Sequence, residues 1–178
     1  LFLLQTVWLD ALIAPGLRLG PVSLRGYYHG ASNKYLLDMG PFSIEYGLFY
    51  GEKSKISIRK DMSVGLPTQI TFNTNNARFD KTLYDKVNLY WACGSDIYML
   101  NTEIHEIENK YSLKMNGAGQ VFHDIADFHF NTTELQIFKN KWMLEKSAKI
   151  EFMKDKTKIT NFYLSDNEHY LEVNGDIS

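Results

Sequence analysis

"KVNLYWACGSDIYMLNTEIHEI", residues 86–107, decides how the rest of the chain is read. Val87, Leu89 and Trp91 alternate with Asn88, Tyr90 and Ala92, a period of two that belongs to a strand with one buried face. "CGSD" (93–96) then breaks the pattern with turn-forming residues. A second apolar stretch follows, in which Ile97 and Met99 are read as continuing the apolar row. Two strands and a short polar turn make a hairpin, and the same unit recurs on both sides.

Upstream, "VSLRGYYHG" (22–30), "ASN" and "KYLLDM" (34–39) repeat it, followed by "FSIEYGLFYG", "KISIRK" and "TQITFNT". Downstream, "YSLKMNG", "DFHFNTT", "ELQIFK", "WMLEKSAKIEF", "TKITNFYLS" and "HYLEVNGDIS" read as strands. The breaks are Asn, Gly, Asp, Ser and Lys clusters, among them "NTNNARFD", "FKNK", "MKDK" and "SDNE"; "NGAGQ" (116–120) reads as a hairpin turn. Turn signals about every ten residues describe an all-β meander. The 4 prolines are expected at segment edges, where no ladder hydrogen bond is lost. Ile159 and Phe162 break the period in "ITNF", which marks a bulge.

One segment departs from this pattern. In "LFLLQTVWLDALIAPG", Leu1, Leu4, Trp8 and Leu12 recur at helical spacing and Pro15-Gly16 supplies a stop. A short amphipathic helix is expected over residues 1–16, followed by one β unit over residues 17–178. The run is too short for a membrane span of roughly 20 residues and carries Asp10. It also lacks the basic region and small-residue cleavage site of a signal peptide.

Composition narrows the function. The chain has 178 residues, is 44% hydrophobic and 22% charged, and so folds around a core of ordinary size. Its net charge of −2 argues against nucleic acid as the main partner. The densest basic run, "KSKISIRK" (53–60), alternates its cations with Ile56 and Ile58 and reads as the polar face of a strand. Cys93 is the one cysteine and is read as a small buried hydrophobe.

No enzyme is expected. "HEIE" (105–108) and "HDIADFH" (123–129) hold possible metal ligands. His123 and His129, however, lie about 20 Å apart on an extended strand at roughly 3.3 Å per residue, too far to share an ion. Carboxylate pairs such as Glu106/Glu108 and Asp124/Asp127 fall on polar faces or loops, and no nucleophile elbow or phosphate loop occurs. "NTT" (131–133) matches a three-residue glycosylation pattern. No metal or cofactor is expected. What remains is the apolar row, which fits a sandwich core, a closed ligand-binding barrel, or a single sheet curled around an apolar groove.

Residues 131–178 resemble the repeating unit of TamB-like translocation and assembly proteins of the AsmA/TamB superfamily, in their Bacteroidota form. The likeness rests on Leu135-x-Ile137, Lys141-Trp142, Ile150-x-Phe152, Ile159-x-x-Phe162-x-Leu164, a polar turn, and a strand ending Asn174-Gly-x-Ile-Ser. "GYYHGASNKYLLDM" (26–39) is similar to another such unit, and "LIAPGLRLG" (12–20) to the segment that opens one. The resemblance implies a long antiparallel sheet of repeated hairpins, folded lengthwise into a taco-like trough. It also implies a bridge in the periplasm, anchored to the inner membrane by a segment outside residues 1–178. The chain would be an internal piece, with strands continuing beyond "LEVNGDIS".

The implied cargo is phospholipid acyl chains carried toward the outer membrane, with an outer-membrane barrel protein as an implied partner. Assistance to outer-membrane protein assembly is the alternative. Alternation assigns Leu113, Met115, Phe128, Phe130 and Ile137 to the groove lining. Trp142, Ile150, Phe152, Leu164, Leu171 and Val173 complete that expected set.

Overall fold

The structure is a computed structural model that describes residues 2–7, 16–32, 34–61, 67–94, 96–122 and 125–177. Its fourteen strands form one antiparallel sheet. Three short or mid-length strands begin it: β1 (Phe2–Val7), β2 (Leu17–Leu19) and β3 (Val22–His29). The long strands β4 (Lys34–Tyr46), β5 (Phe49–Asp61), β6 (Thr68–Phe79) and β7 (Thr82–Cys93) follow. Then come β8 (Ile97–Glu106), β9 (Tyr111–Phe122) and β10 (Ile125–Ile137). β11 (Asn140–Leu144), β12 (Ala148–Phe152), β13 (Thr157–Ser165) and β14 (Tyr170–Ile177) complete the sheet.

The sheet is a meander in which each row lies beside its neighbours in sequence. β2 and β3 run end to end beside β4, with Leu19 opposite Ile44 and Leu24 opposite Met39. β11 and β12 likewise share one side of β10, pairing with its two halves. Among the described residues β1 pairs with β3 alone and β14 with β13 alone, so the ladder is open rather than closed into a barrel. No second sheet packs on the first among the described residues.

Bulges curl this long sheet. Register shifts occur in the β4/β5 ladder around Phe42, in the β5/β6 ladder between Gly51 and Lys55, in β7 between Tyr84 and Lys86, and in β10 between Phe130 and Thr132. The shift expected in "ITNF" lies between Ile159 and Phe162, with Asn161 at a φ of 58°. Each extra residue bends its strand and increases the local twist. A small core forms where β2, β3, β4 and β5 meet, around Leu19, Val22 and Phe42.

Four expectations are corrected. Phe2–Val7 is a strand and not part of a helix. A short apolar run satisfies either period, and here pairing with β3 satisfies backbone groups that β3 would otherwise leave open on that side. The remainder of the expected helix, Trp8–Pro15, lies outside the described residues. "NGAGQ" is strand interior within β9, and "NTNNARFD" is largely β6, whose turn comes only at Asp80. Of the prolines, Pro41 lies inside β4, at its bulge, where the lost N–H breaks no regular ladder.

Candidate functional site

Register assigns every strand a face. Ile70 lies opposite Trp91, Trp91 opposite Leu100, Leu100 opposite Gly117, Gly117 opposite Phe130, and Phe130 opposite Ala148. Directly opposite residues point the same way, so this line is one continuous apolar layer across six rows. A parallel layer runs Ile56, Phe72, Leu89, Thr102, Met115, Thr133. A third runs Cys93, Tyr98, Gly119, Phe128, Ile150, Ile159. The reverse face is polar on the same registers: Lys55, Asn73, Asn88, Glu103, Lys114 and Glu134 lie in one line.

The apolar face is concave. A cleft of about 550 Å³ is lined from β6 (Ile70, Phe72) through β7, β8, β9 and β10 to β12 (Ile150, Phe152). Flat rows would set β6 and β12 about 24 Å apart at roughly 4.8 Å per row. One cleft touching both requires the curl that the bulges supply. Inside it Phe128 meets Phe130 edge-on at 4.8 Å, and Phe130 meets Phe162 of β13 at 6.0 Å over the small Ala148.

Gly117 and Gly119 shape the floor. A β-carbon on Gly119 would lie 2.1 Å from the Asp127 carbonyl oxygen and 2.4 Å from the Tyr98 ring. The missing side chain lets Tyr98 cross β9, stack on Phe128 at 5.8 Å, and donate its hydroxyl to the Asp127 carbonyl on β10. Burial, and after it the Asp127 carboxylate, push the Tyr98 phenol above its ordinary value, so it remains a protonated donor.

The lining carries no carboxylate, amine, imidazole or thiol. Its polar atoms are the committed Tyr98 hydroxyl and the Trp91 indole N–H. The wall formed by the described residues is therefore almost wholly apolar. Much of its wall faces solvent: Trp91 and Phe152 are each 48% exposed. Uncovered apolar area of this continuity makes the cleft the candidate binding surface.

Met115, Phe128, Phe130, Ile150 and Phe152, five of the residues expected to line a groove, line this cleft. Leu113, Ile137 and Trp142 lie on the same face, through Leu113 opposite Leu135, Ile137 opposite Tyr111, and Trp142 opposite Leu135, but outside the cleft. Leu164, Leu171 and Val173 extend that face over β13 and β14, with Leu164 opposite Leu171 and Phe162 opposite Val173. Leu164 is 5% exposed, whereas all of β14 is exposed.

The expected lining omitted the β6 to β8 wall, although Leu89 and Trp91 stood in the apolar row read from the sequence. Ile70 and Phe72 were legible in the alternation of "TQITF". Tyr98 and Leu100 were not, and the row through Ile97 and Met99 is corrected: these two lie on the reverse face, Met99 opposite Ala92 and Ala118. Ile97, Tyr98, Met99 and Leu100 are all apolar or aromatic, so both parities fit and only pairing chooses between them.

On the reverse face Asp127, 8% exposed, joins three strands. Its Oδ1 accepts the Gln120 N–H at 3.1 Å, and Oδ2 lies 3.4 Å from Lys149 Nζ and 3.6 Å from His129 Nε2. At the β8–β9 turn the Glu106 carboxylate accepts the backbone N–H groups of Lys110 and Tyr111 at 2.8 and 2.9 Å. These carboxylates fasten backbone. Among the described residues no three His, Cys, Asp or Glu side chains gather as metal ligands; His123 and Asp124 lie outside them. No protein family, curated protein or solved structure matches the chain.

Proposed function

We propose that this sheet is a lipid-conducting segment of a TamB/AsmA-like envelope protein, its trough holding phospholipid acyl chains in transit between inner and outer membrane. The observation that carries the reading is the one-sided sheet: apolar layers cross row after row, curl into a cleft, and among the described residues have no second layer packed on them. An acyl chain in water is destabilised by roughly 0.8 kcal/mol per CH₂, and an open apolar wall removes that cost without any directional bond. A cleft whose lining carries no charged side chain suits a cargo held by its tails. The polar reverse face keeps such a segment solvated in the periplasm, the compartment this reading implies.

Photocrosslinking in cells tests the proposal. A photoreactive phenylalanine replaces Phe130 or Phe152 in the cleft, or Lys149 on the reverse face, within the whole protein. Phospholipid adducts at 130 and 152 and none at 149 are expected. Adducts at none of the three, or equally at all, would return the apolar face to a purely structural role.

A further inference from the structure

The reverse face carries its own concavity, distinct from the trough and independent of the lipid reading. It holds about 550 Å³ across β3, β4, β5 and β6 around the Pro41 bulge. β6 serves both sites, with Ile70 and Phe72 in the trough and Thr71 and Asn73 in the concavity. Three cations line it: Arg25 from β3, and Lys55 and Arg59 from β5.

Register brings them around one point. Arg25 lies opposite Asp38, and Asp38 opposite Ser57. Lys55 and Arg59 stand two residues to either side of Ser57, about 6.7 Å along the strand, and Arg25 two rows away, about 9.6 Å. Long side chains span such gaps, and all three line the one concavity with Ser57.

Charge favours an anion there. None of the three cations has an ion-pair partner among the described residues, whereas Lys34, Lys86, Lys149 and Lys156 do. The one carboxylate in the concavity, Asp38, accepts the Ser57 hydroxyl at 2.6 Å. The Thr71 hydroxyl and Asn73 amide add donors without a side-chain partner among the described residues. Residues 16–61 hold seven Lys and Arg against four Asp and Glu, in a chain whose net charge is −2. This local surplus of cations favours an anionic partner at the concavity.

We propose that Arg25, Lys55 and Arg59 form a binding site for a phosphate group, with Thr71 and Asn73 as neutral donors. Guanidinium forks approaching from two strands, with an ammonium on one of those strands, match a tetrahedral oxyanion, which accepts on several sides. A phosphate offers this chemistry free in solution or as a lipid headgroup.

The test titrates the 178-residue chain with inorganic phosphate at constant ionic strength and follows the backbone amides of Lys55, Ser57 and Arg59. A second arm measures sedimentation with phosphatidylcholine vesicles, with or without phosphatidylglycerol. Saturable shifts are expected, weakened about tenfold in the double variant Lys55→Gln/Arg59→Gln and unchanged in Lys158→Gln. Arg59→Lys is expected to retain part of the binding, and a thermal melt checks that each variant is folded. Saturation by inorganic phosphate without vesicle binding assigns the site to free phosphate. Binding confined to phosphatidylglycerol vesicles and lost in the double variant assigns it to a headgroup. Linear shifts matching those from chloride, together with equal sedimentation on both vesicle types, overturn the site. So does binding that the double variant leaves intact.

Discussion

Gly119 shows how one residue can set the shape of a binding face. A strand interior disfavours glycine, which offers no side chain to pack and loses more backbone entropy on folding than other residues. At this position the lost side chain is replaced by the Tyr98 ring and its bond to β10. Gly119→Ala forces a methyl against the Asp127 carbonyl and is expected to destabilise by about 1–3 kcal/mol. Gly26, on the same face of β3, has its nearest neighbour, Leu37 Cδ1, at 3.7 Å from a built β-carbon. Gly26→Ala is therefore expected to be neutral or stabilising by up to about 1 kcal/mol, through lost freedom in the unfolded chain. Urea unfolding of the two variants measures the contrast. Equal effects would mean that Tyr98 does not cross β9 as described.

At the scale of elements, polar side chains fasten strands that lack an opposing layer. Asp127 ties β9, β10 and β12 together on the reverse face. Burial raises its carboxyl, but the Gln120 N–H, Lys149 and His129 outweigh that and hold it below the usual aspartate value. A carboxyl depressed on folding contributes stability above its unfolded pKa, about 3.9, and loses it as pH falls through the folded value. Wild type is expected to lose stability on acidification below about pH 4 by an increment that Asp127→Asn lacks. Urea midpoints of both proteins from neutral pH down to pH 2 or so measure it. Parallel curves would show that Asp127 carries no such linkage.

At the scale of the molecule, the open trough makes occupancy readable through its own tryptophan. Trp91 lies in the cleft wall and Trp142 on the same face outside it. A fatty acid brominated along its chain is expected to quench Trp91 and shift the remaining emission to the blue. Trp91→Phe should abolish most of the saturable quenching, and Trp142→Phe should leave it. Quenching that survives Trp91→Phe would place the chain elsewhere on the sheet.

Period-two alternation and turn clusters made an antiparallel meander with one apolar face legible in the sequence, down to the bulge at Ile159–Phe162. Alternation is a local property, set by successive side chains pointing to opposite sides of the backbone, so it is written in the order of residues. It fails where both parities are apolar, as in Ile97–Leu100, and where a short apolar run fits helix and strand alike, as in Phe2–Val7. Pairing decided both. Pairing also gave Gly117 and Gly119 their place, because what fills a glycine's space comes from strands distant in sequence. The choice of one curled sheet over two packed sheets was likewise tertiary. Both bury the same alternating residues, and they differ in how bulges sum their bends over many rows. The joining of Arg25, Lys55 and Arg59 came from the registers of β3, β4 and β5, which no single segment contains.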